Sequence, residues 1–233
     1  MKTADIKVDY VGHFGSDLEV VNAARVSFEK ESAWEQIKIT EDENGPVPLY
    51  YDYKLNDSDV KLINYLAKHK HFSPFNHAFL SFRIKAPIFV ARQLVKHKFL
   101  PWNEVSRRYV DSEPEFYFPK YWREKAENVK QGSKEEPMEE GSISMGFSEA
   151  IERSYMEYTH MIKYANVCPE QARMVLPLNT MTEWVWSGTL GAFLDMLVLR
   201  LDPHTQYESR IVAQQIAKVV EQYFPASYKA RIE

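Results

Sequence analysis

Residues 92–109 read RQLVKHKFLPWNEVSRRY. These eighteen residues hold six basic side chains (Arg92, Lys96, His97, Lys98, Arg107 and Arg108), one carboxylate (Glu104), and the neutral polar residues Gln93, Asn103 and Ser106. The chain as a whole carries a net charge of −4, so the cluster is no reflection of composition. Folding gains nothing from it, because like charges repel. Anion binding does: Arg and Lys are the main side-chain ligands of phosphate, and Ser adds a neutral hydrogen bond. The competing reading is a solvated basic helix face. Pro87 suits the first turn of a helix that the pattern carries to about residue 97. On that helix Gln93, Lys96 and His97 would share a face. Lys96, His97 and Lys98 would end it, where the dipole favours cations. Beyond Pro101 the chain should leave the helix, and strand alternation would set Glu104, Ser106 and Arg108 on one side. An acceptor, a hydroxyl and a guanidinium together suit the sugar and phosphate of one nucleotide.

Upstream, residues 78–85 (AFLSFRIK) alternate as a half-buried strand, and residues 4–11 do so more weakly. Ser16 or Asp17 could cap a helix reaching about residue 27, and residues 56–68 place Val60, Ile63, Leu66 and Ala67 on one helical face. Residues 30–56 contain EDENGPVP and read as a long loop. Downstream, residues 115–118 suggest a short strand, and residues 123–143 are charged and almost free of large apolar side chains, as in an exposed loop. A long helix is expected over 145–165, another from Pro169 to about residue 176, an extended run over 180–187, and helices over 189–200 and 204–223. Strands and helices mix without a regular βαβ repeat. That predicts an α+β fold, a mixed or antiparallel sheet flanked by long helices. No linker divides residues 1–233, so one domain is expected, with polar excursions near 30–56 and 123–143.

Composition narrows the function classes. Apolar residues make up 45 % of 233, enough for a substantial core. The single Cys168 excludes an intrachain disulfide and a multi-cysteine metal site. No His, Cys or carboxylate group has metal-ligand spacing, so no metal is expected. No apolar run approaches the length of a membrane span, and MKTADIKVDY lacks the apolar centre of a leader. A cytoplasmic location away from membranes follows as the default, and the acidic balance argues against nucleic-acid coating. Fourteen Tyr, thirteen Phe and five Trp suit aromatic cores, flat ligands or subunit interfaces.

The window also carries a resemblance. Lys96-His97-Lys98, seven residues and then Ser106 resembles the Arg-His-Arg, seven residues, Ser signature of the flavin-dependent thymidylate synthases. AARVSF (23–28), HKHFSPFNHAFLSFRIKAPIFVARQ (69–93), EFYFP (115–119), EQARMVLPLN (170–179) and LRLDPHTQ (199–206) are similar to family segments, in the family's order. The resemblance implies reductive methylation of dUMP to dTMP. Methylenetetrahydrofolate would be the carbon donor, reduced FAD the hydride donor and NADPH the reductant, in a homotetramer with shared active sites. No protein cysteine is needed as nucleophile, which suits a structural Cys168.

By the same resemblance, Ser106 and Arg108 would hold the nucleotide phosphate, with Arg173, Gln93, Lys96 and Arg107 also on the substrate and Glu104 between nucleotide and flavin. Arg200 would be the catalytic cation beside the uracil, where a fixed positive charge stabilises the pyrimidine as it becomes anionic. FAD would meet His71, Ser73, Lys96, His97, Lys98, Glu104 and His204. Thr189, Gly191 and Asp195 occupy positions where the family carries flavin-contacting Asn, Arg and Asn. Lys for Arg at 96 and 98 loses the planar fork, and at Gly191 and Asp195 a cation is lost and an anion gained. Flavin affinity is expected to be weaker as a result. Related one-carbon transfers to a deoxypyrimidine nucleotide (dCMP methylation, dUMP hydroxymethylation) and a non-catalytic nucleotide-binding relative are the alternatives.

Overall fold

The computed structural model describes residues 1–42, 45–127, 132–138 and 143–233. In chain order the elements are β1 (Lys2–Thr3), β2 (Lys7–Phe14), α1 (Asp17–Arg25), β3 (Glu35–Asp42), β4 (Gly45–Lys54), α2 (Asp57–Lys68), β5 (Phe79–Pro87), α3 (Ile88–Leu94), β6 (Trp102–Glu104), β7 (Glu115–Phe116), β8 (Arg123–Lys125), β9 (Ser133–Pro137), α4 (Ile143–Lys163), α5 (Pro169–Ala172), β10 (Met181–Thr189), α6 (Leu190–Arg200), α7 (Tyr207–Tyr223) and α8 (Pro225–Ile232). The fold is α+β. Its main sheet has the order β2-β5-β10-β6, with β6 antiparallel to β10, while β1 and β7 pair in parallel. No helix among the described residues is long and apolar enough to cross a membrane.

The chain divides into two compact units, each assembled from three separated stretches: residues 1–11, 81–187 and 199–216, and residues 12–80, 188–198 and 217–233. In the first unit the alternation of β5 buries Phe82, Ile84 and Ala86, and β10 buries Met181, Trp184 and Trp186. Trp102 stacks on Trp184 with centroids 4.3 Å apart, and the register Trp184↔Glu104 fixes the start of the basic window. Each such ring contributes about 2–3 kcal/mol of burial. In the second unit, Ser16 Oγ accepts from the Leu18 amide at 3.2 Å to cap α1, and Asn56 Oδ1 accepts from the Asp59 amide at 2.9 Å to cap α2. The buried Asp17 carboxylate accepts from the Ala226 and Ser227 amides at 2.7 and 3.0 Å, and so holds the start of α8.

Four expectations change. Residues 30–56 are not a loop: β3 and β4 form an antiparallel hairpin with a register shift between Ile39 and Glu41. The Gly45–Pro46 pair marks its turn, while QIKIT and LYYDYK alternate on either side. Residues 123–143 contain the paired strands β8 and β9, although part of that excursion (128–131 and 139–142) lies outside the described residues. The helix begun at Pro169 yields after Ala172 to a 3₁₀ turn over Arg173–Val175. Finally, α3 ends at Leu94, with Val95 as its cap. Lys96, His97 and Lys98 therefore stand in the following turn and not on a common helical face with Gln93. That turn contains Phe99 at φ 63°, a left-handed conformation for a bulky residue that is 84 % exposed.

Candidate active site

Within the first unit, α3, the segment after β6 and the 3₁₀ turn at Arg173 surround a cavity of about 500 Å³. Its polar wall is Arg92, Glu104, Ser106, Arg108 and Arg173, and its apolar wall includes Ile88, Ala91 and Val95. Helical spacing puts Ile88, Arg92 and Val95 on one side of α3. Ser106 Oγ accepts from Arg108 Nε at 3.2 Å, so hydroxyl and guanidinium are held together. Arg173 Nε donates to the Glu170 carbonyl at 3.3 Å, which leaves its terminal nitrogens for a ligand. Glu104 accepts from Thr182 Oγ1 at 2.7 Å and from Trp102 Nε1 at 3.0 Å. Three guanidinium groups face one carboxylate here, so the lining carries net positive charge.

A second cavity of about 510 Å³ lies beside the first and shares Ile88, Arg92, Glu104, Val105 and Arg173 with it. Arg107, expected on the nucleotide with Arg108, lines this one and not the cavity of Ser106 and Arg108, and is therefore set apart from the nucleotide's other expected ligands. Its Nη1 donates to the Ser112 carbonyl at 2.9 Å.

Also in the first unit, Arg200 Nε donates to His97 Nε2 at 2.9 Å. Burial, and then the Arg200 charge, push His97 down to about 4. Its ring is therefore neutral at pH 7, accepts at Nε2 and carries its proton on Nδ1. Burial lowers Arg200 from its ordinary value, yet a guanidinium stays charged. Gln93 points away from both cavities, because its Oε1 accepts from the buried Ser209 Oγ on α7. Lys96 and Lys98 line neither cavity and have no ion-pair partner among the described residues. His204 pairs with Asp202 at 3.0 Å.

His71, Ser73, Thr189, Gly191 and Asp195 belong to the second unit. His71 and Ser73 are exposed. Thr189 Oγ1 donates to Asn76 Oδ1 at 2.8 Å and accepts from the Ala192 amide at 3.2 Å, so it caps α6. A Cβ on Gly191 would stand 2.6 Å from Asn76 Oδ1, which closes that position to larger residues. Asp195 is paired with Arg231. Lys96 and Lys98, cations with no carboxylate partner, suit a flavin diphosphate. The α6 positions supply no cation and do not. Arg92, one of the six basic residues of the window and without an expected role, lines both cavities; its spacing from Ile88 and Val95 is the signal in the sequence.

An α+β protein with an arginine-lined anion cavity is what the geometry defines. The family model for thymidylate synthase complementing protein matches residues 9–226. Flavin-dependent thymidylate synthases from Thermus thermophilus and Thermotoga neapolitana are 34 % and 35 % identical to this chain. The matches cover 96 % and 97 % of the chain and 74 % and 90 % of those proteins. The fold also matches the UMP/dUMP methylase PolB from Streptomyces cacaoi, solved with 5-Br UMP and with 5-Br dUMP, at a TM-score of 0.79. Identity is 27 % and 28 %, over 99 % of this chain and 95 % and 96 % of those. The chain belongs to the thymidylate synthase complementing protein family.

Proposed function

We propose that the protein is a flavin-dependent thymidylate synthase, which methylates dUMP to dTMP with methylenetetrahydrofolate as carbon donor and NADPH as reductant. The observation that carries this reading is the cavity in which Ser106, Arg108, Arg173 and Arg92 converge. Charge-assisted hydrogen bonds from Arg to phosphate are shorter and stronger than neutral ones, and bidentate pairing adds orientation. The relatives' names, and the bromouridine nucleotides held by a protein of the same fold, support it.

FAD, when bound and reduced, supplies the hydride that completes the methyl group. Lys96 and Lys98 would hold its diphosphate. The chain's own work is binding and electrostatics. Ser106, Arg108, Arg173 and Arg92 orient the phosphate, and Glu104 offers a carboxylate acceptor to the sugar or base edge. Arg200 is the cation for the pyrimidine. Its partner His97 is neutral, so the guanidinium's charge is uncompensated and available to an oxygen or nitrogen that becomes anionic. A guanidinium only donates, which suits the uracil O4, and N3 once it has lost its proton, and matches a 4-amino group poorly. That argues against dCMP methylation; dUMP hydroxymethylation and a non-catalytic role are separated by experiment.

The test is tritium release from [5-³H]dUMP with methylenetetrahydrofolate, NADPH and FAD, together with product analysis. Release with dTMP formation is expected, and Arg200→Ala and Arg108→Ala should each lower turnover at saturating FAD by about 10²-fold or more. Near wild-type rates in both variants would overturn the assignment.

A further inference from the structure

The second cavity is chemically distinct from the first, although they share a wall. Four acids line it, and three of them are matched by cations: Glu113 with Lys2 at 3.1 Å, Glu115 with Lys85, and Glu183 with Arg83. The Lys2 partnership holds the Glu113 carboxyl below its usual value. Arg92, Arg107 and Arg173 have no carboxylate partner among the described residues. Glu104 alone offsets them, and it receives only neutral hydrogen bonds. The lining itself holds four cations and four carboxylates; because Lys2 and Arg83 match two of those acids from outside it, the positive charge left without a carboxylate partner sits on Arg92, Arg107 and Arg173. Its apolar surface includes Met174 and Leu178, which are 73 % and 62 % exposed. Large apolar side chains beside unmatched guanidinium groups suit a ligand with an apolar or aromatic body and an acidic end.

The neighbouring residues Arg107 and Arg108 divide between the two cavities. We propose that the second cavity is a separate anion subsite with Arg107 as its own cation, taking the acidic end of a reactant other than the nucleotide. This rests on the reading above. In that reading two such reactants must be held: a folate with glutamate carboxylates on an aminobenzoyl ring, and a pyridine dinucleotide with a 2′-phosphate on an adenosine. Carboxylate and phosphate share the chemistry of bidentate capture by Arg, so the probes distinguish them. Nucleotide and second ligand occupy their cavities together, with Arg92 and Arg173 between them.

Calorimetric titration of the full chain tests this with dUMP, p-aminobenzoyl-glutamate and adenosine 2′,5′-bisphosphate, the last two added both alone and over saturating dUMP. At least one acidic probe should bind the dUMP-saturated protein, and which one identifies the source. Arg107→Ala should weaken that probe about 10-fold or more and change dUMP affinity less than about 2-fold, whereas Arg108→Ala should do the reverse. Arg107→Lys should restore part of the probe's affinity, which separates loss of charge from loss of fold. Binding of dUMP without either probe, displacement of dUMP by the probe, or a probe indifferent to Arg107→Ala would overturn the subsite and leave the nucleotide reading standing. Failure of dUMP to bind would count against the nucleotide reading; the subsite would then stand only if a probe still bound in an Arg107-dependent way.

Discussion

His97 is the residue at which charge, burial and site chemistry meet. Its folded-state value near 4 lies below the ordinary 6.5, because burial and the Arg200 guanidinium both disfavour a second positive charge. The unfolded chain therefore takes up this proton first as pH falls. Stability that is fully present above about pH 6.5 should decline progressively toward pH 4, and then level off for this group. Urea midpoints measured across that range check the sign. His97→Gln keeps an acceptor for Arg200 but cannot be protonated, and should remove this component of the slope. An unchanged slope would mean that the pair does not form in solution. The losses expected for Arg108→Ala and Arg200→Ala belong to the same scale, since each removes one charge from a small set with no substitute.

Helix α6 shows how an element can adapt to its own sequence. Thr189 supplies the cap, Asn76 accepts from it, and Gly191 leaves room for Asn76. Gly191→Ala should destabilise the protein by about 1–3 kcal/mol, because Asn76 Oδ1 stands where the new methyl must go. In an Asn76→Ala background most of that cost should vanish. A denaturant double-mutant cycle reads the coupling, and additive effects would contradict the geometry. Nothing local announced this arrangement, since Thr189 and Asn76 are 113 positions apart. The β5 strand, by contrast, was legible from its letters, because period-two alternation is a local property that burial merely confirms. The β3–β4 hairpin was missed because Asn, Gly and Pro dominate the impression of the segment while its strands flank them. The end of α3 was missed because no Gly or Pro stands at Val95 to mark it.

For the whole molecule, Lys in place of Arg at 96 and 98, Gly191 in place of a cation and an Asp195 already paired with Arg231 are the departures from which weaker flavin binding is expected. A chain with these residues should lose FAD on extended dialysis, seen as falling absorbance near 450 nm, and regain it on addition of the cofactor. Retention of full colour would refute the weakened site. Light scattering should give the mass of a tetramer, as expected of active sites shared between chains; a fully active monomer would refute that expectation. The one-dimensional chain by itself determined the alternating strands, most helical segments, the concentration of cations at 92–108 and the ordered set of family segments, because composition and periodicity are properties of neighbours along the backbone. Tertiary structure alone decided that Arg107 and Arg108 enter different cavities, that Gln93 is tied to Ser209, and that His97 stays neutral beside Arg200. Those outcomes depend on groups 103 and 116 positions away, or on how the backbone turns after β6. Coulomb and hydrogen-bond energies follow distance in space, which covalent order does not contain.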